Sequence, residues 1–467
     1  MQKRLFYLLV FIFLFTGCMK LGPDFKQPDP GFNVPDSWSS IDRALEGNEI
    51  KDRWWEDFGN TEINDLVNDV LKNNLDIKKA SARILEIKSG LVQTKASRFP
   101  NVGVQAQALS QQLPAAGAPG FKRKTENYSL SLPAAFEIDL WGRISRSLEA
   151  AEADLLAAEE NRRTIIHTMI AESVTLYLYM EALERRISVT KKNIVNFRKN
   201  LEMTENRYKR GLTSILDVKQ SRAALSQAKA ALPSLYQETY TVQQRLSLFS
   251  GRYPETRPPR VQPEDYFKRL EQVKPGLHSD VLMRRPDVRA AEARLISLNA
   301  RIGAARASRF PRIALTGNFG YSNENLSNLF RPENELWSLA SGITQTIFDA
   351  GRLKAVEKAS KARYMQGVTD YAKTVLTAFF EVENALITRK EWITRRELVV
   401  ILLKDARETE GIALNHYKRG LVGYTSVLQA QQGRLKAEES LILADLSILT
   451  NRVTLYRALG GGFPDNL

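Results

Sequence analysis

The chain has 467 residues, with 67 Lys and Arg against 53 Asp and Glu, three His and a single Cys. One cysteine excludes a disulfide framework, and so few thiols and imidazoles leave no material for a zinc cluster or a Cys-His catalytic dyad. Apolar residues at 43% exclude a disordered chain, and no stretch reaches the roughly 18 to 20 apolar residues that a spanning helix requires.

At the N terminus, Lys3 and Arg4 precede an apolar run from Leu5 to Phe15, which reads as a secretory signal and not as a membrane span. Phe15-Thr16-Gly17-Cys18 follows and looks like a bacterial lipobox, with Phe15 where that pattern prefers Leu. The resemblance implies removal of a signal peptide, residues 1–17, and acylation of Cys18. Acyl chains contribute roughly 0.8 kcal/mol per buried methylene, so a multiply acylated Cys18 would anchor the chain stably in lipid. Met19 follows, with no Asp to direct retention at the inner membrane. The alternative is an ordinary signal peptide with an incidental cysteine.

The rest of the chain is a duplication. Asp69-Val70-Leu71 and Ala96-Ser97-Arg98-Phe99-Pro100 return as Asp280-Val281-Leu282 and Ala307-Ser308-Arg309-Phe310-Pro311, both shifted by 211. Gly142-Arg143 and Tyr208-Lys209-Arg210-Gly211 return as Gly351-Arg352 and Tyr417-Lys418-Arg419-Gly420, shifted by 209. Repeat 1 is placed at 62–251 and repeat 2 at 279–459. Within each, a helix ends at Phe-Pro, because proline disfavours helical geometry in the residue before it. Period-two alternation then predicts strands at 101–109, 127–140, 313–321 and 336–348.

Long helices are predicted at 143–210 and 352–419, the first without Pro or Gly and the second without Pro. At 1.5 Å per residue each extends roughly 100 Å. In the first, Ile166, Met180, Ile187, Ile194, Leu201 and Tyr208 share a seven-residue register interrupted by Ser173, which reads as coiled-coil packing. Both end at Lys-Arg-Gly-Leu, where the glycine reads as a C-cap and the turn as a hairpin tip. Return helices follow at 213–249 and 422–459.

Four strands of about ten residues are long enough to cross an outer membrane obliquely but too few to close a barrel, and open edges in lipid are forbidden. Three chains would supply twelve strands above twelve helical struts. The expected fold is mostly α with a β-barrel part: an internally duplicated α-helical barrel plus four membrane strands per chain. A lipoprotein coiled-coil spacer is the alternative from a different class, disfavoured by the alternating strands.

Several stretches, in order, resemble one family across nearly the whole mature chain. These are Leu21-Gly22-Pro23-Asp24-Phe25, Trp54-Trp55, Phe58-Gly59, Asp139-Leu140-Trp141-Gly142-Arg143, Arg285-Pro286-Asp287 and Leu455-Tyr456-Arg457-Ala458-Leu459-Gly460-Gly461-Gly462. Together they resemble TolC/OprM-type outer-membrane efflux channels, in the lipoprotein branch that serves resistance-nodulation-division pumps. The resemblance implies a homotrimer in the bacterial outer membrane, with a periplasmic tunnel and an equatorial mixed region. Residues 18–61, with the lipid anchor, the linker 252–278 and the tail 460–467 would form most of that region. It further implies a passive, non-enzymatic duct without a cofactor, engaged by a periplasmic adaptor (membrane fusion) protein and powered by an inner-membrane pump. The exit duct of a type I secretion system is the alternative within the class.

Carried over, the resemblance places a periplasmic gate at the hairpin tips, with Tyr417 bonded to Asp217 and with Tyr208 at the equivalent position. Where the family often carries acidic residues, this chain has Ser426 and Gln429. Asp217 is then expected to supply the narrow acidic ring alone. Lys209, Arg210, Gly211, Lys418, Arg419 and Gly420 are expected to dock the adaptor; cations at helix C-termini are also favoured by the helix dipole alone. The basic balance does not imply nucleic acid, because the basic residues are spread along helices of an exported chain. His167, His278 and His416 are scattered, so no metal site is expected.

Overall fold

The structure, a computed structural model, describes residues 20–29, 31–33, 38, 51–114, 122–262, 267, 270, 273 and 284–461. Cys18 and His278 lie outside the described residues. A 3-10 turn, Trp54–Phe58, precedes helices α1 (Thr61–Asn73) and α2 (Leu75–Ala96). Strands β1 (Asn101–Val102), β2 (Gln105–Pro114) and β3 (Lys122–Ile138) lead into α3 (Arg143–Lys209) and α4 (Ile215–Phe249). The second copy gives α5 (Pro286–Ala307), β4 (Arg312–Asn323), β5 (Glu335–Thr344), α6 (Arg352–Lys418) and α7 (Tyr424–Ala458). Two compact units emerge, and both long helices contribute to each.

One unit comprises Ala82–Glu159 and Ala290–Lys373 with the described part of residues 1–31. Its sheet is antiparallel, in the order β1-β3-β4-β5, with β2 also on β3. The stretch read as one strand, 101–109, is split into β1 and β2. The break at Gly103 falls beside Pro133 of β3, whose carbonyl accepts from Gly103 N at 3.0 Å. Proline has no N–H to return on that side, so the ladder with β1 and β2 is interrupted there, while pairing on the other side runs on through Pro133 opposite Asn318. The strand read as 336–348 stops at Thr344, because Thr344 pairs with Arg312, the first residue of β4, and nothing of β4 lies beyond it. Ile347 and Phe348 are exposed.

Register gathers the apolar residues on one face. Leu130 pairs with Tyr321, Leu132 with Phe319, Phe136 with Leu315 and Ile138 with Ile313. Phe319 and Ile313 then pair with Trp337 and Ile343. The opposite face carries Ser131, Asn318 and Ser338. Leu132, Phe319, Trp337, Leu339 and Ile343 are solvent-exposed in the single chain. An apolar sheet face of this extent on a lone protomer marks a surface that meets lipid or another chain.

Both long helices begin at an aspartate. Asp139 accepts from Ile144 N (2.9 Å) and Ser145 N (2.7 Å), and Asp349 accepts from Gly351 N and Leu353 N (2.9 Å each). These bonds satisfy orphan donors of the first turn, and the bond from Leu353 leads in holding the Asp349 carboxyl below the ordinary carboxylate range. The second loop is one residue shorter, which places Ala350 at φ 50°. That left-handed backbone costs roughly 1–2 kcal/mol for a non-glycine residue.

The other unit comprises Glu160–Arg289 and Thr374–Leu467 with residues 32–81, so far as these are described. Ile166, Ser173, Met180 and Ile187 are buried along α3, as the seven-residue register expects. Beyond Ile187 the buried face passes to Asn193, Phe197, Asn200 and Thr204, and Tyr208 is exposed. Asn193 there accepts from Arg434 of α7 at 2.8 Å, so polar pairing replaces the apolar seam. Among the described residues several ionic knots tie this unit, two of them centred on Asp445 and Arg260. Asp445, 1% exposed, is held by Arg185 at 2.7 Å and Arg396 at 2.6 Å. Arg260 bonds Glu184 (2.9 Å) and Glu62 (2.6 Å) and lies over the Tyr177 ring. Asn60 reaches Tyr177 Oη at 3.1 Å and Glu181 at 3.4 Å.

Candidate functional site

The two hairpin tips close in the same way. Gly211 N donates to Tyr208 O and Leu212 N to Arg207 O, both at 2.9 Å. In the second copy Gly420 N donates to Tyr417 O (3.0 Å) and Leu421 N to His416 O (2.9 Å). This nested pair of bonds is the Schellman ending, which needs a left-handed residue at the turn. Gly211 and Gly420 supply it, with φ of 68° and 76°. A Cβ on either would meet nothing within 4 Å, so the requirement is conformational and not steric. Lys209, Arg210, Lys418 and Arg419 are exposed around these glycines, together with Leu212 and Leu421.

Asp217 sits in the first turn of α4, where the helix N-terminus favours a carboxylate. Tyr417 Oη donates to its Oδ2 at 3.0 Å, and Thr213 Oγ1 donates to the same oxygen. The Thr213 and Tyr417 hydroxyls are 3.1 Å apart. Arg207 places its guanidinium 5.0 Å from the Tyr417 ring centroid and donates to Lys418 O at 2.8 Å. Tyr417 is 3% exposed. Burial, with the neighbouring Asp217 carboxylate, pushes its hydroxyl above the ordinary tyrosine range, so it remains a donor at neutral pH. The site is therefore a polar latch joining the end of α6 to the start of α4.

Behind this latch Tyr424, 1% exposed, donates to Ser221 Oγ at 3.0 Å, and its ring centroid lies 5.2 Å from that of Tyr417. Val427, Met203 and Leu414 complete the apolar packing. Sequence reasoning had not singled out Tyr424, Thr213 or Arg207. A signal existed for Tyr424, which stands where the first copy has Ile215 and so puts a hydroxyl in an apolar slot.

Among the described residues the other copy shows no equivalent latch. Tyr208 is 45% exposed and is not brought to Asp217. By the shift of 209 the counterpart of Asp217 is Ser426, and Ser426 and Gln429 are both exposed.

A family model described as outer membrane efflux protein matches residues 66–252 and 277–461, one stretch for each copy of the duplication. The chain belongs to this family. It is thus an outer-membrane channel component of an efflux pump and not an enzyme. It is 30% identical over 97% of both chains to the solvent efflux pump outer membrane protein SrpC of Pseudomonas putida. It is 28% identical, again over 97% of both, to the probable outer membrane lipoprotein SilC of Salmonella typhimurium. Among solved structures, the outer-membrane channel OprN superposes with a TM-score of 0.88 at 28% identity, covering 95% of this chain and 99% of that one.

Proposed function

We propose that this efflux channel is a homotrimer, anchored by acylated Cys18, that forms the passive exit duct of a tripartite pump for small toxic compounds. The observation that carries the reading is the sheet. It bears one exposed apolar face and, among the described residues, has a pairing partner on only one side of β2 and of β5. Unpaired edges cannot face lipid, and a barrel removes them. With β1 and β2 counted as one interrupted strand, three copies supply twelve strands, above the roughly eight whose lumen side chains would fill.

A second surface supports assembly from copies of this chain. Met365, Leu376, Ile387 and Leu398 are exposed along α6 at a constant spacing of eleven residues. An eleven-residue period is close to the natural helix repeat, so such a stripe stays nearly in line along the helix. A neighbouring protomer would cover it.

In this reading the Tyr417–Asp217 latch keeps the periplasmic end closed. The exposed Lys209-Arg210-Gly211 and Lys418-Arg419-Gly420 tips dock a periplasmic adaptor, and an inner-membrane pump supplies the energy. The described parts of residues 18–61, 252–278 and 460–467 contribute the equatorial belt. The substrate class follows the solvent efflux named for SrpC, with drugs of similar size included. The ring of Asp217 carboxylates would narrow and charge the closed end. Single-channel recording with added divalent cations tests this: block is expected in the wild type and lost in Asp217→Asn. Block that survives the substitution would remove Asp217 from the constriction.

A further inference from the structure

Lys20–Asp29 forms no regular secondary structure, yet it is held at closely spaced points. Leu21 N donates to Trp141 O at 3.2 Å. Arg146, whose side chain is 2% exposed, donates to Leu21 O (3.2 Å), Gly22 O (3.3 Å) and Asp24 Oδ1 (2.9 Å). Asn299 Nδ2 donates to Pro23 O at 2.9 Å, and Gln27 Nε2 to Tyr371 Oη at 2.9 Å. Gly22 has φ 102°, and a Cβ on it would lie 2.5 Å from Gly303 Cα. A Cβ on Gly303 would lie 2.8 Å from Leu21 O and 2.9 Å from Arg146 Cγ. Two glycines thus let the segment and α5 touch backbone to backbone.

The site lies at the base of the sheet. Trp141 follows the end of β3 and donates its indole N–H at 2.8 Å to Pro311 O, immediately before β4. The contacts come from α3 of the first copy and from α5 and α6 of the second. The duplication shows that the site is particular to one place. Ala355 stands at the counterpart of Arg146, and Lys88 and Val92 at those of Asn299 and Gly303. Val92 is 62% exposed. Where the copies otherwise follow one plan, the counterpart of Arg146 has no side-chain donor and the counterpart of Gly303 carries a branched side chain.

We propose that Lys20–Gln27 is an intramolecular strap, and that its docking site at Arg146, Asn299 and Gly303 fixes the mature N terminus at the base of the sheet and staples the two copies together there. The clamp, not an acyl chain, holds the strap. The consequence for the anchor rests on the lipidation of Cys18 proposed above. Two residues of chain span at most about 7 Å, so fixing Lys20 also limits how far from the sheet base an acyl group on Cys18 can be carried.

Limited trypsin digestion of the detergent-extracted full-length protein, with mass analysis of the released N-terminal peptides, tests this through cleavage after Lys20 and Lys26. In the wild type both bonds are protected. Gly22→Ala, which alters only the strap, and Gly303→Ala, which alters only the groove, each raise the cleavage rate tenfold or more. Cys18→Ala, exported behind a cleavable signal that is not a lipoprotein signal, keeps the wild-type protection. Unchanged protection in both glycine variants would overturn the clamp, and loss of protection in the Cys18 variant would show that the lipid does the holding. The two readings separate in the wild type: a protected strap on an unacylated Cys18 supports the clamp and removes the anchor.

Discussion

Tyr417 and Asp217, 200 residues apart in the chain, share a 3.0 Å hydrogen bond that joins the end of the second long helix to the start of the first return helix. The donor is neutral and buried and the acceptor is a carboxylate, so the bond belongs to the stronger class of protein hydrogen bonds. Arg207 adds a contact to the tyrosine ring and a bond to Lys418 O. A latch of this strength can bias a two-state gate and still be overcome by a docking partner.

Replacing Tyr417 by Phe removes the donor and keeps the ring. A hydrogen bond to a charged group contributes about 1.5–3 kcal/mol, so the open population should rise roughly 10- to 150-fold. Bilayer conductance is expected to increase accordingly. Tyr208→Phe, at an exposed site, should leave conductance unchanged.

The knot around Asp445 should matter for stability in proportion to its burial. Asp445→Ala leaves Arg185 and Arg396 without their shared carboxylate, and breaking a buried pair costs about 3–5 kcal/mol. Removing the exposed Arg222–Glu205 pair should cost under about 1 kcal/mol. Denaturation midpoints of Asp445→Ala and Arg222→Ala make the comparison, and similar losses in the two would refute the ranking.

Glu181 sets a pH dependence. Burial is the main cause that pushes its pKa from the ordinary 4.5 up to about 7, with Glu184 and Glu62 adding and Arg260 opposing. The folded protein therefore binds this proton more tightly than the unfolded chain. The stability it contributes is full below about pH 4.5 and is lost as pH rises through about 7. Glu181→Gln should stabilise the protein at pH 8 relative to the wild type, by of order 2 kcal/mol. The two melting points should converge near pH 4.5, and a constant gap across the range would contradict the assignment.

The two faces of the sheet should respond differently to charge. Arginine at Leu132, on the apolar face, should cost about 2–4 kcal/mol if that position lies near the bilayer midplane, and should impair membrane assembly. Arginine at Asn318, on the polar face, should permit assembly and shift ion selectivity toward anions. Recovery of assembled protein and reversal potentials provide the two readouts.

Much of this architecture was legible because it repeats. The two proline-free long segments and the period-two stretches announce helices and strands without help from tertiary context. The break at Gly103 was not legible from its own strand, since its cause is Pro133 on the neighbouring one. The end of β5 at Thr344 is likewise set by where β4 begins. Tyr417 and Asp217 were found through family resemblance, because residues this distant in sequence carry no local signal of contact. Tyr424 escaped notice because a buried tyrosine in a helix reads as packing until its hydroxyl partner, Ser221, is known. Gly22 and Gly303 show the same limit: Gly22 stands in a family-like stretch, but nothing in the sequence points to Gly303 as the residue it touches.

The central claim is that one chain supplies a third of a channel. The native mass of the membrane-extracted protein in detergent, corrected for bound detergent, tests it most directly. Three copies are expected, with no smaller folded species at working concentration. A monomer or dimer that stays soluble without detergent would contradict the account, because the four strands of a single chain cannot close a path through a membrane.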